Sequence, residues 1–183
     1  MTMKVSAYYA ASLDGYIARP DGSIDWLNEA NAIVPDGEDC GFQAFMDRVD
    51  TMVMGRKTFE QVLTFGQWPY GKTPVVVMSS NPLSIPATVP DVVTHSSETP
   101  QALCDRLSSA GIEQLYVDGG ATIRGFIAAG LLDEITVTTV PVVLGGGISP
   151  FGALEKDLKL VQLRAEVFEF GFVQTVYMVQ KDA

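Results

Sequence analysis

The chain reads as an α/β protein: a central, mixed but mostly parallel sheet, helices on both faces, and an antiparallel strand pair at its C-terminal end. Three observations lead there. Strand-like and helix-like segments alternate as far as residue 143, the pattern that builds parallel sheets. One strand segment, "TPVVVMSS" (73–80), is continuously apolar, as a strand covered on both faces must be. The tail instead alternates: Val173, Thr175, Tyr177 and Val179 against Gln174, Val176, Met178 and Gln180. Alternation of that kind belongs to an antiparallel pair, here turning near Gly171.

In chain order, "KVSAYYAA" (4–11) predicts a buried strand. "SLDGYIARPDGSIDWL" (12–27) carries two Asp-Gly pairs and a proline, which predict a long structured loop. "CGFQAFMDRV" (40–49) places Phe42, Phe45, Met46 and Val49 at helical spacing. A short strand (51–55) and a short helix (57–63) follow, then strands at 73–80 and 92–96. Thr99 and Pro100 suit the cap and first position of a helix that Gly111 stops. "EQLYVDG" (113–119) is a strand, "ATIRGFIAAG" (121–130) a helix and "EITVTTVPVV" (134–143) a strand. With no repeat or linker in view, residues 1–183 read as one domain.

Composition narrows the function. The chain is 47% apolar and 19% charged, with a net charge of −10. That acidity argues against nucleic-acid and acidic-membrane partners, which need a basic footprint. It leaves room for a small phosphorylated ligand held by a few local cations. Cys40, Cys104 and the single histidine, His95, do not form a metal-ligand spacing. The start "MTMKVSAYYAASLDG" breaks where a leader's apolar run would continue, and no apolar run has membrane-spanning length, so a cytoplasmic location is expected.

Three strand-to-helix or strand-to-turn junctions could carry chemistry. Ligands of open α/β sheets bind outside the carboxyl ends of the strands. In "MVMGRKTFE" (52–60), Gly55 permits a turn, and Arg56 and Lys57 then stand at a helix start. The helix dipole disfavours cations there unless an anion joins them; a solvated surface pair is the alternative. In "VVVMSSN" (75–81), Ser79 and Ser80 are phosphate donors or simple turn residues. In "YVDGGATIRGF" (116–126), Gly119 and Gly120 let a pyrophosphate approach the backbone at a helix N-terminus, or serve packing alone. Neither GxGxxG nor a P-loop is present. The acids in position to act are Asp14, Glu38, Asp39 and Asp118, and burial at a strand end would raise the pKa of Asp118.

Taken together, "VMGRKTFE", "VVVMSSNP" and "YVDGGATIRGF" resemble, in this order, the three cofactor-contact segments of the dihydrofolate reductase-like fold, a three-layer architecture. A closer resemblance is to the C-terminal reductase domain of the bifunctional riboflavin-biosynthesis deaminase-reductase. It is carried by "SLDGYIA" (12–18), "RVDTMVMGRKT" (48–58) and "DGGATIRGFIAAGLLDEITVTTVPVVLGGG" (118–147). The resemblance implies NADPH as cofactor. Arg56, Lys57, Thr58, Ser79 and Ser80, with Gly55 at the turn, would hold its adenosine half. Gly119, Gly120, Ala121 and Thr122 would hold the pyrophosphate and nicotinamide side. Ser12, Asp14, Trp26 and Asp39 would face the substrate, with Asp118 or Asp14 relaying a proton and loop 12–27 closing over the ligand. The family reaction is reduction of 5-amino-6-(5-phosphoribosylamino)uracil, with dihydrofolate as the alternative substrate and a non-catalytic NADPH-binding or scaffold dimer as the alternative of another class. A homodimer is implied too. Two positions depart from the family: Asp118 stands where a glutamate is common, and Tyr16 where a cation often follows SLDG.

Overall fold

A computed structural model describes residues 3–181. Eight strands form one sheet: β1 (Lys4–Ser12), β2 (Thr51–Gly55), β3 (Val75–Met78), β4 (Val93–Ser96), β5 (Gln114–Asp118), β6 (Glu134–Val140), β7 (Leu160–Val167) and β8 (Val173–Val179). Their spatial order is β4-β3-β2-β5-β1-β6-β8-β7. The first six run parallel to one another, β8 runs antiparallel to β6, and β7, antiparallel to β8, returns to the common direction. The carboxyl ends of six strands therefore share one rim.

Among the described residues five helices cover the sheet: α1 (Asp25–Asn31), α2 (Phe42–Met46), α3 (Arg56–Leu63), α4 (Pro100–Ser109) and α5 (Gly120–Ala128). Strand parity assigns the faces. Val53, Leu115 and Val117 pack with Leu103, Leu107, Ile123 and Phe126 from α4 and α5. Met52, Met54, Val75, Val77 and Tyr116 point the other way, onto Phe45 of α2 and Phe59 of α3. A smaller cluster joins Trp26 of α1 to Val140 and Phe172. Burial of this apolar area on both faces is the main force holding the three layers together.

Local chemistry sets the ends. Thr99 caps α4 by accepting from the Ala102 N–H at 3.3 Å, with Pro100 at the first turn. Gly171 turns the β7–β8 hairpin at φ 98°. Two expectations need correction. Residues 12–27 are not all loop: α1 begins at Asp25, whose charge favours a helix N-terminus, and Trp26, Leu27 and Ala30 repeat at helical spacing. The helix expected over 40–49 spans only Phe42–Met46, because the Asp39 carboxylate binds the Gly41 and Gln43 N–H groups at 2.8 Å and starts it there. It is thus the second helix of the chain.

Candidate active site

The carboxyl rim opens into a cleft of about 1760 Å³. Single small-molecule sites occupy roughly 300–1,000 Å³, so this space suits two ligands side by side. Gly55, Arg56, Lys57 and Thr58 line it from the β2–α3 junction. Ser79 and Ser80 line it after β3, and Gly119, Gly120, Ala121 and Thr122 from the β5–α5 junction. The adjacency of β3, β2 and β5 in the sheet brings these separated segments together.

Helices α3 and α5 both begin at this cleft, on Gly55 and Gly119, with no side-chain cap on either. Their first-turn N–H groups have no partner within the helix, and the dipoles point positive ends into the cleft. Arg56 Nε pairs with Glu60 at 2.8 Å, but both side chains are about half exposed and such a pair yields readily to a stronger anion. Lys57 has no ion pair or hydrogen bond among the described residues. The Ser79 hydroxyl donates to Asn81 O at 2.9 Å in a turn, while Ser80 is exposed. His95 is not without a partner: its Nε2 lies 2.8 Å from Ser79 O and steadies the same turn.

The double glycine has a structural cause of its own. Gly119 sits at φ 89°, and a Cβ there would lie 2.2 Å from the Thr58 hydroxyl oxygen. Only glycine satisfies both constraints. At Gly120 a Cβ would stand 3.2 Å from Arg124 and from Ile148. Packing thus explains the glycines, and the same packing leaves bare backbone at the mouth of α5.

Asp118 ends β5 and lines the cleft. Some of its surface stays open to the cleft, yet it sits deep in the molecule. Burial raises its pKa to about 6, opposed by a hydrogen bond from the Gly119 N–H at 2.8 Å. Tyr70 and Tyr116 lie near enough to feel its charge; burial first, and Asp118 second, push both phenols up. A carboxyl in this state can hold or release a proton near neutrality.

The expected substrate residues divide. Asp39 lines the cleft while capping α2. Ser12, Asp14 and Trp26 are not among the lining residues. Asp14 is an anchor: it accepts from the Ser12 hydroxyl at 2.7 Å and from the Leu144 and Gly145 N–H groups at 3.1 and 2.7 Å. These bonds hold its pKa below the usual carboxylate value, the serine contributing most. Further backbone bonds, Ile17 N to Ile148 O and Ile148 N to Ala18 O, stitch the first loop to residues 142–148. Trp26 is buried in the α1 cluster, and its Nε1 has no partner among the described residues.

Sequence reasoning missed a second polar group. Tyr8, Thr138 and Cys40 line the cleft beyond β1, tied together by Gln174. The Tyr8 phenol is pushed up to about 12, by burial above all. Cys40 takes a left-handed backbone, φ 53°, and its carbonyl accepts from both Tyr8 and Gln174. The available signal was a glutamine inside an otherwise apolar strand pattern.

The comparisons agree with this architecture. An uncharacterized protein of Bacillus subtilis (strain 168), YwjB, is 37% identical over 163 residues, covering 87% of this chain and 89% of that protein. A putative riboflavin biosynthesis protein from Shewanella sp. PV-4 superposes with a TM-score of 0.90 at 38% identity, over 98% of this chain and 100% of the other. Dihydrofolate reductase from Enterococcus faecalis, in complex with NADP(H) and RAB-propyl, gives 0.63 at 19% identity, over 97% of each chain. The last likeness identifies the fold as dihydrofolate reductase-like. Residues 3–173 match the family model described as the RibD C-terminal domain, and the chain belongs to that family.

Proposed function

We propose that this chain is an NADPH-dependent reductase of the cytoplasm, working as a homodimer on a small polar heterocycle. The observation that carries the reading is the pair of uncapped helix N-termini, α3 and α5, opening on one cleft beside Lys57. Two sets of N–H groups without helix partners and a cation unpaired among the described residues match a ligand with a pyrophosphate and a further phosphate. When bound, NADPH supplies the hydride. Gly120, Ala121 and Thr122 would bind the pyrophosphate through main-chain N–H groups. Lys57, Arg56 and Ser80 would surround the phosphate on the ribose. Asp118 would hold the proton that the reduced substrate needs and deliver it within the cleft.

Family membership supports reduction of an aminopyrimidine such as 5-amino-6-(5-phosphoribosylamino)uracil. The test is calorimetry with NADPH and NADH, followed by oxidation of NADPH in the presence of aminopyrimidine and pterin acceptors. Arg56→Ala with Lys57→Ala should weaken NADPH binding by about ten-fold or more and leave NADH nearly unchanged. Equal losses would remove these side chains from phosphate recognition. No heat with NADPH or NADP would end the reading, and binding without turnover would favour a sensor.

A further inference from the structure

The cleft divides along the sheet. The residues assigned above to the dinucleotide belong to the ends of β3, β2 and β5, whereas the floor beyond them is built by β1, β6 and β8. Ala10, Thr138 and Gln174 are successive register partners there, so one row of side chains crosses three strands. Gln174 is 2% exposed and Thr138 4%. The Gln174 amide nitrogen donates to Cys40 O at 2.8 Å, Tyr8 Oη at 2.9 Å and Thr138 Oγ1 at 3.0 Å. Two N–H protons are shared among these three acceptors. The amide oxygen accepts from Arg164 Nη2 at 3.1 Å. Gln174 is therefore fully used within the protein, and its orientation is set.

Two hydrogen-bonding valences remain. Tyr8 donates its proton to Cys40 O at 2.5 Å and accepts from Gln174, which leaves one lone pair. Thr138 only accepts: its own hydroxyl proton has no acceptor among the described residues. A buried hydroxyl without an acceptor costs free energy until a ligand or water receives its proton. Both residues line the cleft, so the floor offers one donor and one acceptor.

Charge and shape restrict what can take them. Glu38 and Asp39 line the cleft immediately before Cys40, and Asp21 and Asp36 line it as well. The lining cations are elsewhere: Arg56 and Lys57 start α3, and Arg124 donates to Ser149 O at 2.7 Å. Arg164 is not a lining residue: it meets the floor through the Gln174 amide oxygen and pairs with Glu166 at 3.8 Å. A phosphate beside Glu38 and Asp39 would meet like charge. Leu27, Val34, Phe42 and Phe172 add apolar walls against which a flat ring can lie.

We infer that this half of the cleft takes a planar, unphosphorylated heterocycle, neutral or cationic, that accepts a hydrogen bond from Thr138, and that Thr138 is a specificity-determining residue. The inference rests on the reading of the other half as a dinucleotide site. It departs from the phosphoribosylated substrate of the family reaction.

The experiment is calorimetry on the full chain saturated with NADP. The probes are 5-amino-6-(5-phosphoribosylamino)uracil, its dephosphorylated counterpart, and pterin. The dephosphorylated pyrimidine or pterin should bind at least about ten-fold more tightly than the phosphorylated compound. Thr138→Val should weaken the tighter ligand about ten-fold, Thr138→Ser should restore it, and the affinity for NADP should hold in both variants. Tighter binding of the phosphorylated compound overturns the inference, as does binding of neither unphosphorylated probe. So does a Thr138→Val protein that binds both ligand and NADP as the parent does. These failures leave the dinucleotide reading intact, whereas loss of NADP binding in the parent protein removes both.

Discussion

Asp118 is the residue whose surroundings have most to say about pH. Its ordinary value is 3.8, and burial lifts it to about 6 in the folded chain. Between those values the native protein binds more protons than the unfolded one, so stability falls as pH rises through that window and then levels off. Asp118→Asn keeps an acceptor for the Gly119 N–H and removes the buried charge. It should stabilise the protein at neutral pH by about 1–3 kcal/mol, with the two proteins converging at pH 3.8 and below. Urea unfolding at both ends of the range reads this out. If Asp118 also delivers the proton, parent turnover should decline as pH rises beyond about 6, and the asparagine variant should lose about a hundred-fold in kcat with a flat profile.

Between elements, the decisive contact is the turn from β5 into α5 against the first turn of α3. Gly119 leaves no gap there: its missing Cβ is replaced by the Thr58 side chain. Gly119→Ala should therefore destabilise by about 2 kcal/mol or more, from backbone strain and steric overlap together. Adding Thr58→Ala removes the clashing hydroxyl and should recover part of the loss, since the strain of φ 89° persists. A thermal-denaturation double-mutant cycle separates the two, and a purely additive result would show that the contact is not what constrains the glycine. The first loop depends on its neighbours in a comparable way. The Asp14 carboxylate, the strand-like bridge from Ala18 to Ile148 and the onset of α1 leave only residues 19–24 without such ties to the 142–148 loop. Closure over a ligand, if it occurs in loop 12–27, belongs to that short stretch.

At the scale of the molecule, the sheet ends on an edge that looks unfinished. β7 is exposed along nearly its whole length, with Leu163 at 54% and Val167 at 77%. Met178 of the adjacent β8 is 45% exposed. A register shift between Gln162 and Arg164 bulges the strand, yet among the described residues no helix covers its outer edge. Apolar edge strands of this kind invite pairing with another chain. Light scattering should give about 39 kDa, twice the 19.7 kDa of one chain. Leu163→Lys with Val167→Asp should shift the mass to that of a monomer, and an unchanged dimer would move the interface elsewhere.

Periodicity and punctuation in the sequence determined the class of fold, the alternating order of elements and the antiparallel tail, because local spacing, caps and turn glycines act over a few residues. The three junctions beside the rim were legible for the same reason: each is a short run of unusual residues at a strand end. Helix α1 was hidden by the Asp-Gly pairs before it, whose turn signals outweigh one turn of amphipathic spacing. Only the tertiary structure decided that Asp14 is a loop anchor, that Trp26 is core, and that Tyr8, Thr138 and Gln174 share one polar floor. Those contacts join residues as many as 166 positions apart. Which strands lie side by side, and so which side chains meet, follows from packing the whole sheet at once.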